Sequence, residues 1–213
     1  MTVPSAAQDP GRYHPQSTIG QYLTAKAAAV PAEGILPLAV HERWAVKTAS
    51  DADAQALTGQ APTLTTIAQL TALPVPGLLP PDGRSDGAEK TVWQVTATLQ
   101  AFGREADGDY HMVIADDQGT TMIAEIPNPD DITSPSYFAA QITDSRAAID
   151  NHFQITENLS GPAAAAAGTT GFQEVSVPVT LTGIGYFDFN HGQRGVAGNA
   201  IELHPVIGVV FNG

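Results

Sequence analysis

Apolar and polar residues alternate most regularly between Trp93 and Ala101, where every odd position is apolar and every even position is Gln or Thr. A period of two residues is typical of a strand that buries one face. Two shorter strand-like runs follow, Tyr110–Ala115 and Thr121–Ile126, after turn-forming residues at 107–108 and 116–119. Because short turns join neighbouring antiparallel strands, the three runs predict an antiparallel meander.

Apolar residues recur at helical spacing in residues 17–30, which end before Pro31, and in residues 63–73, which end before Pro74. Proline lacks a backbone donor and cannot continue a helix, so both segments are predicted as short amphipathic helices. Between them, residues 35–46 have the composition of a strand.

A third helix is predicted to begin at Ser134 and Pro135, because a capping residue followed by proline is a typical first turn. Its buried face would carry Phe138, Ile142, Ile149 and Phe153. Two more strands, at residues 175–187 and 200–211, complete the chain.

These elements follow one another in the order of an OB-fold, a five-stranded Greek-key barrel with a helix between strands three and four. The sequence therefore predicts a mainly β protein with an OB-like barrel at residues 88–213. Residues 1–16 are predicted as a flexible arm, and residues 17–80 as a helical and extended segment that packs on the barrel. An open sheet packed on one helix is the alternative. Gly183 and Gly185 suit the sharp bend that a small barrel needs in its fourth strand.

Composition narrows the classes of function. The 213 residues include 9 basic and 22 acidic side chains, and the net charge of −13 repels phosphate backbones and anionic membranes. The absence of cysteine excludes disulfides, thiolate metal sites and cysteine nucleophiles. The first residues lack the pattern of a signal peptide, which predicts a cytoplasmic location unless Met1 was added to a processed, secreted chain.

The candidate site is the Gly-rich loop between the last two predicted strands, because it concentrates polar side chains between two fixed ends. The candidate ligand-binding residues are Asp188, His191, Gln193, Arg194, Asn199, Glu202 and His204. We interpret the protein as a non-catalytic binding or assembly module that recognises a small ligand or a protein partner through this loop. No cofactor is required by that interpretation.

A metal-dependent hydrolase is the first alternative. His111, His191 and His204, with Asp188 or Glu202, are suitable ligands for a divalent metal such as zinc. Their spacing matches no established ligand motif, no nucleophile motif accompanies them, and structural hydrogen bonding is the favoured role. The acidic residues at 107–109 and 116–117 suggest calcium, but turn formation explains them.

The predicted barrel and the predicted arm each suggest a further function. OB barrels bind single-stranded nucleic acid on exposed aromatic residues, for which Trp93, Tyr110, Tyr186 and Phe187 are the candidates, although the net charge opposes such binding. The first 30 residues could instead dock on a neighbouring copy and make a homo-oligomer. Arg43 and Lys47 are predicted to form ion pairs with the acids of the C-terminal loop.

Five segments of the chain look like a group of uncharacterised bacterial proteins with an OB-like domain. The segments are residues 43–48, 109–114, 122–127, 185–197 and 202–206, and the resemblance extends over about residues 41–210. It implies a compact natural domain and carries no particular activity.

Overall fold

The computed structural model describes residues 43–105, 107–132, 135–155, 172–190 and 192–212, all within one compact unit, His41–Gly213. The predicted arm at residues 1–16 and the predicted helix at residues 17–30 lie outside the described residues. The domain boundaries stay predictions.

The described residues form six strands and a few short helices. The strands are β1 (Thr63–Thr65), β2 (Val92–Arg104), β3 (Tyr110–Ala115), β4 (Thr121–Ile126), β5 (Gln173–Phe187) and β6 (Ile201–Phe211). The α-helices are α1 (Trp44–Lys47), α2 (Ile67–Thr71) and α3 (Ala139–Phe153), and shorter 3₁₀ turns occur at Ala52–Leu57, Ala88–Lys90 and Pro129–Asp131. The protein is mainly β, as the alternation of apolar and polar residues predicts.

The strands form one sheet that closes on itself. Its order is β1-β2-β3-β4-β6-β5, and β5 pairs again with β2, so strands β2 to β6 ring round. The predicted meander β2-β3-β4 is confirmed as antiparallel. β6 lies parallel to β4 and antiparallel to β5, and the short β1 pairs with β2 in parallel.

The ladder between β5 and β6 changes register around Gly183 and Gly185. A Cβ atom on Gly183 would lie 2.9 Å from the Cβ of Leu203, and one on Gly185 would collide with the backbone oxygen of Ala88. Glycine is therefore required at both positions, because the neighbouring chain approaches too closely for a side chain, as expected from their place in this strand.

The core fills the inside of the ring. β3, β4 and β6 direct alternate residues such as Met112, Ala124 and Leu203 into it. Helix α3 packs mainly against β6 and buries Ile142 and Ile149 completely. Burial of each such side chain stabilises the folded state by about 1.5–3 kcal/mol relative to leaving it in water.

One helix prediction and one strand prediction need correction. Residues 63–73 do not form a single helix: residues 63–65 are strand β1, where Leu64 is 76% exposed, and helix α2 begins only at Ile67. The reason is a capping box, in which Thr66 and Gln69 each bind the backbone N–H of the other and fix the helix start. The strand predicted at residues 35–46 is also wrong where it is described, because Trp44–Lys47 is helix α1.

The third helix begins later than predicted. Ser134 lies outside the described residues, and α3 starts at Ala139. Tyr137 donates its backbone N–H to the Ala49 carbonyl, and Phe138 donates its own to the Ser136 hydroxyl, so the chain there is committed to other hydrogen bonds. Within the described ranges, every helix is too short or too polar to cross a membrane.

Candidate metal centre

Ionisable side chains occupy the outer face of strands β3, β4 and β6. The apolar residues Met112, Ala124 and Leu203 point inward, so their neighbours His111, Glu125 and His204 point to the opposite face. That face is buried: each of these three side chains is less than a tenth exposed. Part of the cover is the loop between β5 and β6, where Gly195 lies directly over Val113.

Strand register explains why these side chains meet. His111 and Glu125 are direct partners across β3 and β4. β6 runs parallel to β4 with Ala124 beside Leu203, so Glu125 and His204 are neighbours one step further along. With their surroundings they form the histidine cluster, which consists of Glu105, Asp109, His111, Glu125, Glu202 and His204.

His111 has one ring nitrogen fixed and the other between two acids. Nε2 lies 2.8 Å from the backbone oxygen of Arg194, which can only accept, so Nε2 carries the proton. Nδ1 lies 2.9 Å from Glu125 Oε1 and 3.0 Å from Glu105 Oε1. Both contacts are ion pairs when the ring is charged, but neither meets the geometric criteria for a hydrogen bond, so within the described part of the chain this buried nitrogen has no hydrogen-bond partner.

His204 has a similar arrangement. Nδ1 is hydrogen-bonded to Glu202 Oε1 at 3.1 Å, and Glu125 Oε2 lies 3.0 Å from the same atom. Nε2 is completely buried, and no described residue offers it a hydrogen bond. The nearest acid to Nε2 is Asp109, whose Oδ2 lies 3.7 Å away while its Oδ1 accepts the backbone N–H of Asn128.

The pKa values reflect four carboxyl groups around two imidazoles. Burial opposes the charged form of the histidines, but the facing carboxylates outweigh it and raise the pKa of His111 to about 10 and that of His204 to about 9. Burial also opposes ionised Glu125, yet the two imidazoles hold its pKa well below the usual range. Burial, followed by the charge of Asp107, raises the pKa of Asp109 to about 7. Burial and the charge of Glu125 likewise raise the pKa of Glu202.

Two triads in the cluster have the composition of a metal site. One is Glu105, His111 and Glu125, and the other is Asp109, Glu125 and His204; within each, the possible ligand atoms all lie within 4.8 Å of one another. Glu105 is the accessible member, because its side chain is 42% exposed. Imidazole and carboxylate together suit divalent transition metals, and the exposed side of Glu105 leaves room for a further ligand.

The structure brings together some of the predicted site residues. Glu202 and His204 are hydrogen-bonded to each other, and Glu125 lies between His204 and His111, the other predicted metal ligand that the structure describes. Asp188 lies at the margin, where its Oδ2 is 3.8 Å from the ammonium group of Lys47. That contact is one of the ion pairs predicted for the N-terminal segment, and despite burial it raises the pKa of Lys47.

The remaining loop residues have structural contacts. Gln193 donates to Asp188 and to the Phe189 carbonyl within the loop. The side chain of Arg194 is paired with Glu174 on the surface, so only its backbone oxygen reaches the cluster. Asn199 donates to the carbonyls of Leu70 and Leu73 and so ties the loop to the end of α2. His191 lies outside the described residues.

The sequence reasoning missed Glu105 and Glu125 and assigned Asp109 only to a turn. A signal for Glu125 was present, because it is the lone acid in a six-residue strand that is otherwise apolar apart from Thr121. The predicted hairpin also places it opposite His111. Asp109 does lie at a turn, since its N–H binds Asp107, but its carboxylate extends into the cluster.

Comparison with known proteins adds no relative. No protein-family model matches the chain, and no curated protein matches it closely enough to count as related. A functional conclusion must therefore be drawn from the geometry of the histidine cluster.

Proposed function

We propose that this protein is a binding module whose ligand is a divalent transition-metal ion, held by Glu105, His111 and Glu125. The observation that carries the proposal is the Nδ1 atom of His111, which lies 2.9 and 3.0 Å from two carboxylate oxygens and is buried without a hydrogen-bond partner among the described residues. The ligand of the binding module predicted from the sequence would thus be an ion.

The tautomer of His111 supports a cation at this place. Nε2 donates its proton to the Arg194 carbonyl, so only Nδ1 faces Glu105 and Glu125. Without an ion, the raised pKa of His111 places a second proton on Nδ1, between the ring and the two carboxylates. A divalent ion would displace that proton, because a metal-binding imidazole is neutral. The ion makes Nδ1 and the two carboxylates into ligands, and the Arg194 carbonyl then holds the far side of the ring, as carbonyls commonly do behind metal-binding histidines.

The spacing of the atoms also indicates the type of ion. Ligand atoms bonded to one ion at about 2.1 Å lie about 3.0 Å apart in an octahedron and about 3.4 Å apart in a tetrahedron. The separations from His111 Nδ1 are compatible with the first value, which is also the usual length of an ion pair between imidazole and carboxylate. One imidazole with two carboxylates suits Mn²⁺, Fe²⁺ or Zn²⁺ better than Ca²⁺, which takes oxygen ligands.

Calorimetric titration of the chelator-treated protein with MnCl₂ and with ZnCl₂ tests this proposal. Wild type should bind stoichiometrically, and His111→Ala should lose that binding because the central ligand is gone. His152→Ala is the matched control: His152 stacks on Phe211 outside the cluster, so its removal should leave the titration unchanged. Equal binding by His111→Ala, or no binding by wild type, would overturn the proposal.

A metal-dependent hydrolase is the second candidate, favoured by the exposure of Glu105. An ion bound there has a side open to water, and bound water at a divalent metal becomes a nucleophile near neutral pH. The test is hydrolysis of activated esters and phosphoesters by the metal-loaded protein. Activity that disappears with chelator and with His111→Ala supports a hydrolase. Inactivity toward all of these substrates contradicts a hydrolase and favours a binding module without catalysis.

We also propose that the ring of strands is an OB-like barrel. Its support is the ring order of the five strands β2-β3-β4-β6-β5, with α3 in the chain between β4 and β5. In an OB-like barrel of this kind, the proposed ion lies on the outer face of the three strands β3, β4 and β6.

Binding of a protein partner, self-assembly through the N-terminal arm and a cytoplasmic location stay predictions. The nucleic-acid alternative has little support, because Tyr110, Tyr186 and Phe187 are buried and the half-buried Trp93 donates its ring N–H to the Ala88 carbonyl. Bases stack on exposed aromatic faces, which these four residues do not offer.

A further inference from the structure

The far end of the histidine cluster repeats the arrangement found at His111. His204 donates Nδ1–H to Glu202, so Nε2 is the nitrogen open to an ion, and it has no hydrogen-bond partner among the described residues. Oδ2 of Asp109 lies 3.7 Å from that atom. A carboxylate behind one ring nitrogen and an unfilled position before the other is the usual environment of a metal-binding histidine.

Glu125 lies between the two ends and uses a different oxygen for each. Its Oε1 is 2.9 Å from Nδ1 of His111, and its Oε2 is 3.0 Å from Nδ1 of His204, the nitrogen that donates to Glu202. Glu125 also belongs to the second triad, in which the possible ligand atoms lie within 4.8 Å of one another, so its carboxylate is within reach of an ion on either side.

Charge balance points the same way. The cluster has four carboxyl groups, which two divalent ions neutralise when both imidazoles are neutral. With one ion, protons on the imidazole of His204 or on the carboxyl groups must offset the rest of the charge. Lys47 lies at the margin of the cluster, but its ammonium group already faces Asp188.

We infer that a second divalent ion binds between Asp109 and His204 and shares Glu125 with the first, so that the protein holds a dinuclear centre. Glu202 is the positioning residue that orients His204. The inference rests on the proposed function, because Glu125 bridges only if the ion at His111 is bound.

Metal stoichiometry tests the inference on the intact protein. After saturation with Mn²⁺ and removal of free ion, elemental analysis should find two ions per chain in wild type. Asp109→Asn, which keeps the shape of the side chain but weakens it as a ligand, should retain one ion. Asp144→Asn is the control, because Asp144 is exposed on α3 and the substitution removes the same charge outside the cluster.

Electron paramagnetic resonance of the Mn²⁺ protein gives a second measurement that needs no variant. Two Mn²⁺ ions bridged by one carboxylate are exchange-coupled, so wild type should lack the hyperfine pattern of isolated Mn²⁺, and Asp109→Asn should recover that pattern. One ion per chain in wild type overturns the dinuclear centre and leaves the first site standing. No bound ion overturns both, and two ions in Asp109→Asn overturn the assignment of the second site to Asp109.

Discussion

Two clusters of buried charge occur in the described part of the molecule, and they differ in balance. The arginine cluster joins the segment before β2 to the barrel and contains two cations and two anions: Arg43, Asp51, Arg84 and Glu89. The histidine cluster contains four carboxyl groups and two imidazoles. Both are largely withdrawn from water except at Glu105, and the first has equal numbers of cations and anions whereas the second has twice as many carboxyl groups as imidazoles.

The arginine cluster also satisfies its hydrogen bonds. Arg43 donates to both oxygens of Glu89 at 2.7 Å, and its other N–H groups reach backbone oxygens, including that of Phe187 on β5. Burial opposes ionised Glu89, but Arg43 and the N–H groups of Phe187 and Ser85 outweigh it and hold the pKa of Glu89 below its usual range. Such a network stabilises one arrangement of the chain and has no position left for a ligand.

The difference teaches how buried charge can be interpreted. A neutral cluster with every donor matched to an acceptor is explained by the fold alone. An acidic cluster in which two buried imidazole nitrogens lack a hydrogen bond has positions that a bound cation would fill, which is the basis of the proposal made above. Each of the following changes alters one side of this contrast.

Removal of one charge from the arginine cluster should have the largest effect. Arg43→Met keeps the length of the side chain but leaves Glu89 buried without its partner, which should cost about 3–5 kcal/mol in the free energy of unfolding. Urea denaturation measures the loss. The double variant Arg43→Met with Glu89→Gln should recover part of it, because the uncompensated charge is then gone. A loss below about 1 kcal/mol would show that the pair is not a buried structural contact.

Addition of a divalent ion should stabilise the protein through the histidine cluster. An ion that binds only the folded state, at a free concentration 100 times its dissociation constant, raises the free energy of unfolding by about 2.7 kcal/mol. For a chain of this size that corresponds to a rise in melting temperature of roughly 5–10 °C. Thermal denaturation with and without Zn²⁺ measures the rise, and Glu125→Gln should abolish it. An equal rise in Glu125→Gln would place the ion elsewhere.

The fold could be predicted further than the site. Strands β3 and β4 follow from short strand-like runs bounded by turn residues, and their predicted bounds are those observed. Helix α2 was predicted too long, because the spacing of Leu64 and Ile67 could not reveal the reciprocal cap between Thr66 and Gln69. His111 and His204 of the histidine cluster stand out in the sequence by residue type, whereas the position of Glu105 depends on where the chain leaves β2. The Gly-rich loop was expected to act through side chains, but a backbone oxygen of Arg194 reaches His111.

Substitution of two glycines in that loop should distinguish the effect of a steric contact from that of backbone strain. Both have positive φ, +91° at Gly192 and +83° at Gly195, but only a Cβ atom on Gly195 would meet a neighbour, Val113 Cγ1 at 2.7 Å. Gly192→Ala should therefore cost only the left-handed conformation, about 1–2 kcal/mol. Gly195→Ala should cost more and also displace the Arg194 carbonyl, which would weaken Zn²⁺ binding by about 10- to 100-fold. Equal metal affinity in the two variants, measured by calorimetry, would contradict a role for that carbonyl.

The smallest effect is expected for Glu174→Gln. Arg194 donates to both oxygens of Glu174 at 2.6 and 2.8 Å, the same two-bond geometry that joins Arg43 to Glu89, but the side chains are 45% and 67% exposed. Water competes for an exposed pair, so the substitution should lower the free energy of unfolding far less than Arg43→Met does. Zn²⁺ affinity should not change, because the Arg194 backbone stays in place. If urea denaturation instead gave a loss as large as that of Arg43→Met, geometry rather than burial and charge balance would set the strength of these pairs, and the contrast between the two buried clusters would lose its physical basis.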